Sequence, residues 1–153
     1  MNYTKTEATT MKDNLTLIDT DILIFILKMN ENAIKCSREY QTKNGRLKIS
    51  ELTYYECLRG YKSSNSTTKM KLFFELVNEM EIFSLDKVIY NKASEIYAKL
   101  REVGFPTGEF DLLIASTALI NDFKLTTNNT KHYLKIHENF GLYCERDKIV
   151  QYE

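Results

Sequence analysis

Apolar positions fall into short blocks of two kinds that alternate along the chain. Leu15, Leu17 and Ile18 form a run too brief for a helix, closed by Asp19, so residues 15–19 read as a buried strand. A first helix is predicted from Ile22 to Met29, and Ala33, Ile34 and Tyr40 keep helical spacing between Asn30 and Lys43. Asn44-Gly45 is a stop signal before a second strand at 46–50, whose Ser50 suits the cap of the next helix, 51–61.

The polar run 63–68 reads as a loop. Met70, Phe73, Phe74, Val77 and Met80 then give residues 69–80 the stripe of an amphipathic helix. A third strand is expected at 81–85, with Asp86 capping a helix that carries apolar residues at 88, 89, 93, 96, 97 and 100 and stops at Gly104 and Pro106. Residues 108–123 are almost continuously apolar, as in a helix buried on most sides; 123–127 is a fourth strand, 132–136 a helical turn, and 141–147 a closing edge strand. Short strands separated by helices in this order predict an α/β domain with a mainly parallel sheet, whose sites lie beyond the carboxyl ends of the strands.

At 153 residues the chain suits one domain, expected over 15–153 behind a flexible extension of residues 1–14. With 43% hydrophobic residues it is too apolar to be disordered. Twenty-one basic residues balance twenty-one acidic ones, which excludes a basic arm that holds nucleic acid by bulk charge, so any such contact must be local. The longest apolar run, 22–27, is far too short to cross a bilayer, and the first residues lack a signal-like apolar stretch, so a cytoplasmic protein is expected. Cys36, Cys57 and Cys144 are widely spaced and odd in number, and read as reduced thiols.

Chemistry enters where acids interrupt apolar segments. Asp19 ends the first strand, Glu56 lies between Tyr55 and Cys57 on a helix, and Asp111 opens the most hydrophobic helix. Each has an ordinary alternative: Asp19 as a helix cap, Glu56 paired with Arg59 or Lys62, Asp111 as a first-turn residue favoured by the helix dipole. Together they are three carboxylates directed toward a core, and buried carboxylates need a cation or donors. Oxygen ligands without a convergent His or Cys set suit Mg2+ or Mn2+ better than Zn2+, and such cations serve phosphate chemistry.

Four blocks, LIDTDIL (17–23), ISELTYYECLRGY (49–61), GEFDLLIASTAL (108–119) and LTTNNTKHY (125–133), resemble in order and separation those of PIN-domain ribonucleases, most closely VapC toxins of toxin–antitoxin pairs. The resemblance implies a three-layer α/β/α sandwich and a metal-dependent endoribonuclease that uses Mg2+ or Mn2+ to direct water at the phosphodiester. By block, Asp19, Glu56 and Asp111 correspond to the family's metal-binding acids, and Thr127 to its supporting hydroxyl. It also implies a homodimer and a small antitoxin that wraps the helices near the first two acids.

Two departures stand out. Asp21 occupies a position where the family usually has Asn, and His132 stands where a fourth acid is expected. A neutral imidazole favours Mn2+ over Mg2+ but brings no negative charge, so weaker metal binding with some Mn2+ preference follows; the alternative is a plain surface histidine. Asn128 and Asn129 either contact metal-bound water or turn the chain. Lys28, Arg59 and Lys62, beside the motifs, are the candidates for RNA phosphate, and Tyr54, Tyr61, Phe73 and Phe74 for a partner groove or the core. The competing functions are a catalytically impaired PIN-like RNA- or protein-binding module and, from Asp19-Thr20-Asp21 alone, a haloacid-dehalogenase-type phosphatase with an aspartyl nucleophile.

Overall fold

Leu17 and Ile18 are neighbours in one strand and belong to different cores, because successive strand residues point to opposite faces. That alternation sets the architecture in the computed structural model, which describes residues 15–145. The expected extension 1–14, and residues 146–147 of the expected closing strand, lie outside the described residues.

In chain order the elements are β1 (Thr16–Ile18), α1 (Thr20–Leu27), α2 (Glu31–Asn44), β2 (Lys48–Ser50), α3 (Glu51–Ser63), α4 (Thr67–Asn78), β3 (Glu81–Phe83), α5 (Lys87–Glu102), α6 (Glu109–Ile120), β4 (Lys124–Thr126), α7 (Thr130–Phe140) and β5 (Cys144–Glu145). The strands pair in parallel in the order β3-β2-β1-β4-β5, the three-layer α/β/α arrangement expected. One face packs Ile18 and Ile49 beneath residues of α1 to α4; the other packs Leu17 and Leu125 beneath α5, α6 and α7.

The elements differ from expectation where caps and tertiary packing decide. The first helix begins at Thr20 rather than Ile22, because Asp19 caps it through the Thr20 N–H. The anticipated turn at 132–136 is a full helix, α7, which buries Tyr133 and Ile136 and stops at Gly141, whose φ of 72° is left-handed and suits glycine. The loop expected at 63–68 shrinks, since α3 runs on to Ser63 and α4 starts at Thr67. Phe73 is fully buried, with ring centres of Tyr54, Tyr61 and Phe74 within 5.3 to 5.9 Å, so this cluster is mainly core; Phe74 alone of the four is an exposed large hydrophobic.

Chain connections lead from β1 outward to β2 and β3, then return across to β4 and β5. The reversal falls between β1 and β4, the place where open α/β sheets put a binding crevice beyond the carboxyl ends of their strands. Asp19, following β1, donates its N–H to the Thr126 carbonyl at 2.9 Å, which locks the mouth of that crevice.

Candidate active site

Asp19 is almost fully buried, and both of its carboxylate oxygens are engaged. Oδ1 accepts the Thr20 N–H at 2.8 Å, so the acid is a helix cap and still has a second oxygen for the crevice. That oxygen, Oδ2, accepts the Thr127 hydroxyl at 2.8 Å and the Tyr133 hydroxyl at 2.9 Å. Thr127 Oγ1 also accepts the Asn129 N–H at 3.0 Å, which orients its own proton toward Asp19. Burial pushes the Asp19 carboxyl above its ordinary value against the pull of these three donors, and the charge of Asp111 adds to the push.

Asp111 lies in the first turn of α6. Its Oδ1 is 3.3 Å from the Tyr133 hydroxyl, and its Oδ2 is 3.4 Å from Nδ1 of the exposed His132. Glu56 reaches the same region from α3: its Oε1 accepts the Thr20 hydroxyl at 2.8 Å, and Thr20 in turn lies 3.0 Å from the Thr53 hydroxyl. Partial burial raises the Glu56 carboxyl, with Asp19 and Asp111 adding and Arg59 opposing. Asp21 accepts its neighbour Ile22 N–H at 2.8 Å and the Asn128 N–H at 2.9 Å; burial first, then the Asp19 charge, pushes it up to about 6.

Thr127 thus contacts Asp19 and His132 contacts Asp111, the two pairs being joined through the Tyr133 hydroxyl, with Glu56 linked through Thr20 and Asp21 through the main chain of Asn128. Asn129 contributes its N–H rather than its side chain. The basic candidates are not gathered equally. Arg59 lies one helical turn beyond Glu56, its guanidinium 5.2 Å from the Tyr55 ring centre and 4.8 Å from that of Phe110. Lys28 caps the far end of α1, roughly 13 Å along the helix from Asp19, and Lys62 is about 9 Å along α3 from Glu56 at 1.5 Å per residue. Both lysines stand farther along their helices from the acids than Arg59 does.

The sequence reading missed Tyr133 and Thr20. A buried tyrosine needs a partner for its hydroxyl, so the apolar face of α7 carried the signal, but only once that helix was recognised as longer than a turn. Thr20 is polar at the first helical position, directly after an acid, and its partner Glu56 lies 36 residues away, so no local pattern marks it.

Among the described residues no three His, Cys, Asp or Glu side chains are grouped tightly enough to hold a metal ion as they stand. The pocket nevertheless fits a hard cation. None of its four carboxylates forms an ion pair with Lys or Arg among the described residues, and the Oδ1 of Asn128, next to Thr127, is buried without a hydrogen-bond partner there. Mg2+ keeps several waters and needs only one or two carboxylates, a demand Asp19 and Asp111 meet. The thiols offer no competing ligand set: burial pushes Cys57 up to about 12 and Cys144 to about 11.

The model of the PIN domain family matches residues 16–136. Ribonuclease VapC1 of Methanocaldococcus jannaschii is 33% identical over 126 residues, 82% of this chain and 83% of that protein. The tRNA(fMet)-specific endonuclease VapC of Shigella flexneri is 26% identical over 121 residues, 78% of this chain and 90% of that protein. Among solved structures, VapBC-1 from nontypeable Haemophilus influenzae superposes with a TM-score of 0.72 at 27% identity, over 85% of this chain and 96% of that one. VapBC2 from Rickettsia felis shares the fold, with a TM-score of 0.76 at 24% identity over 85% and 96% of the two chains.

Proposed function

The chain belongs to the PIN domain family, and on that premise we propose that it is an endoribonuclease of VapC type, the toxin of a toxin–antitoxin pair. One observation carries the reading: Asp19 and Asp111, from separate βα units, are drawn together by Tyr133 beyond the sheet's carboxyl ends, with no Lys or Arg neutralising either among the described residues. Relatives named as ribonucleases and a tRNA endonuclease supply the substrate class.

The cofactor would be a divalent cation, Mg2+ or Mn2+, which Asp19 and Asp111 would hold with Glu56 and His132 nearby. When bound, the cation polarises the phosphodiester and lowers the pKa of a water to a useful range. The chain's own groups do the rest. Thr127 holds Oδ2 of Asp19 in one orientation, and Thr20 holds Oε1 of Glu56, whose carboxyl, pushed up by partial burial, is placed to take a proton from water. Asp21 adds negative charge behind the site. Arg59, held flat by Tyr55 and Phe110, receives an RNA phosphate at the rim.

The antitoxin has a place to dock. A groove of about 220 Å3 between α1, α2 and α4 is lined by Ile26, Leu27, Met29, Ile34, Leu72 and Leu76, with Arg38 at its side. A homodimer in the cytoplasm, where the RNA is, completes the proposed assembly; no helix among the described residues is long and apolar enough to cross a membrane.

The test is cleavage of total tRNA and ribosomal RNA by antitoxin-free protein with Mn2+, with Mg2+ and with EDTA, beside Asp19→Asn and Asp111→Asn. Discrete fragments that require metal and both acids are expected. Intact RNA together with calorimetric metal binding would instead favour the catalytically impaired binding module.

A further inference from the structure

Tyr133 stands on the inner face of α7, fully buried in the same core as Leu17, Ile96, Leu112 and Ile136. Packing at this position is served by the ring alone. The hydroxyl adds a polar group in a place where it must find partners, and both partners are acids, Asp19 Oδ2 at 2.9 Å and Asp111 Oδ1 at 3.3 Å. A phenol carries one proton, so two carboxylates share a single donor. The other donors to Asp19, the Thr127 hydroxyl and the Thr20 N–H, do not touch Asp111; the contact to Asp111 from its other side, His132, is on an exposed residue.

A proton held between two carboxylates screens their repulsion, which is strong where water is largely excluded. A divalent cation would screen the same pair. Two agents that relieve one repulsion each gain less when the other is present, so their binding is antagonistic. The contact also occupies the oxygen at issue, since Asp19 Oδ2 already accepts from both Thr127 and Tyr133.

We propose that the Tyr133 hydroxyl is a positioning group that bridges Asp19 and Asp111 while the pocket is metal-free and yields to the metal as it enters, so that it sets the metal concentration at which the site fills. The inference rests on the metal site proposed above. Losing the hydroxyl removes the bridge from the metal-free protein, where it is worth most, and little from the loaded one.

The experiment compares full-length, antitoxin-free wild type with Tyr133→Phe, which keeps the ring, by Mn2+ titration calorimetry and by thermal melting in EDTA and in saturating Mn2+. In EDTA the variant is expected to melt about 5 °C lower, the effect of losing one charge-assisted hydrogen bond in a domain of this size. In saturating Mn2+ the two melt together, and the Mn2+ Kd of the variant is about tenfold tighter, as linkage requires. Thr127→Val, which removes a donor that does not bridge, leaves the Kd unchanged or weakens it. An equal loss of Tm with and without Mn2+, at unchanged Kd, would make Tyr133 purely structural and overturn the inference. So would weaker Mn2+ binding in Tyr133→Phe, or tightening by Thr127→Val to the same extent. If wild type itself binds no Mn2+, the metal site falls and the inference with it; if wild type binds and Tyr133→Phe matches it in both measurements, the inference alone falls.

Discussion

Asp21 makes the metal-free protein less stable as pH rises, and Asp21→Asn exposes the effect. In the folded chain its carboxyl ionises at about 6, against 3.8 ordinarily. Below about pH 4 the group is protonated in folded and unfolded chains alike and costs nothing. Between about pH 4 and 6 the folded chain holds a proton the unfolded chain has released, so stability falls with rising pH, and above that window the full cost stands. Two pKa units correspond to about 3 kcal/mol, and partial exposure to screening solvent reduces this to about 1.5 kcal/mol. Asparagine lacks the charge but offers one acceptor where the carboxylate offers two, so either Ile22 or Asn128 loses its partner, at about 1 kcal/mol at any pH. Urea denaturation in EDTA at pH 4.5 and 7.5 separates the two effects. Asp21→Asn is expected to be the less stable protein at pH 4.5 and to gain about 1 kcal/mol on wild type by pH 7.5, since about a third of the cost is already in place at pH 4.5. A difference between the proteins that stays constant across this range, or moves the other way, would refute the argument that burial and the Asp19 charge load this carboxylate.

Three further outcomes are expected. Thr127→Val removes one of the two hydroxyl donors on Asp19 Oδ2 and lowers RNA cleavage about tenfold to a hundredfold with the fold retained, measured as kcat/KM on the RNA the wild type cuts. His132→Ala removes the imidazole 3.4 Å from Asp111 and narrows the preference for Mn2+ over Mg2+; equal calorimetric affinity for the two metals in wild type, unchanged in the variant, would exclude a role for His132. Arg59→Ala weakens binding to all RNA sequences alike and reduces the salt slope by about 1, with a stability change within about 1 kcal/mol because the side chain is exposed.

The parts of the site that a single segment encodes were legible in the sequence. An acid closing an apolar strand and another opening an apolar helix are local anomalies, and Asp19 and Asp111 are found in contact with one tyrosine. The links between segments were not. Apolar periodicity weighs tyrosine and phenylalanine alike, so it is silent on a hydroxyl whose partner is 114 residues away. The Thr20 bond to Glu56 spans 36 residues and follows from how α1 and α3 pack, which no local pattern fixes. Lys28 shows the converse: it sits close to Asp19 in sequence, and α1 sets it roughly 13 Å away along the helix axis at 1.5 Å per residue. The parallel sheet was readable from the alternation of strand and helix, whereas α7 was underestimated because Thr130, Lys131 and His132 fill its first turn with polar side chains.

The order of the strands also governs when the protein becomes active. Parallel neighbours cannot be closed by a hairpin, so β1 waits for β4, and Asp19 meets Thr127 only when the chain has grown 108 positions further. A ribosome adding about 5 to 20 residues each second exposes Asp19 and Glu56 well before Thr127 and Tyr133, and Asp111 about 1 to 4 seconds before them, so an unfinished chain has the acids but not the groups that orient them. Chains stopped after Ile120 are accordingly expected to leave RNA intact when expressed without antitoxin, and cleavage by such a fragment would contradict this. The groove between α1, α2 and α4, complete by Leu76, leaves the ribosome first. On the docking proposed above, the segments that line the antitoxin's groove are made before those that complete the nuclease pocket, so synthesis itself gives the antitoxin a head start over the toxin's chemistry.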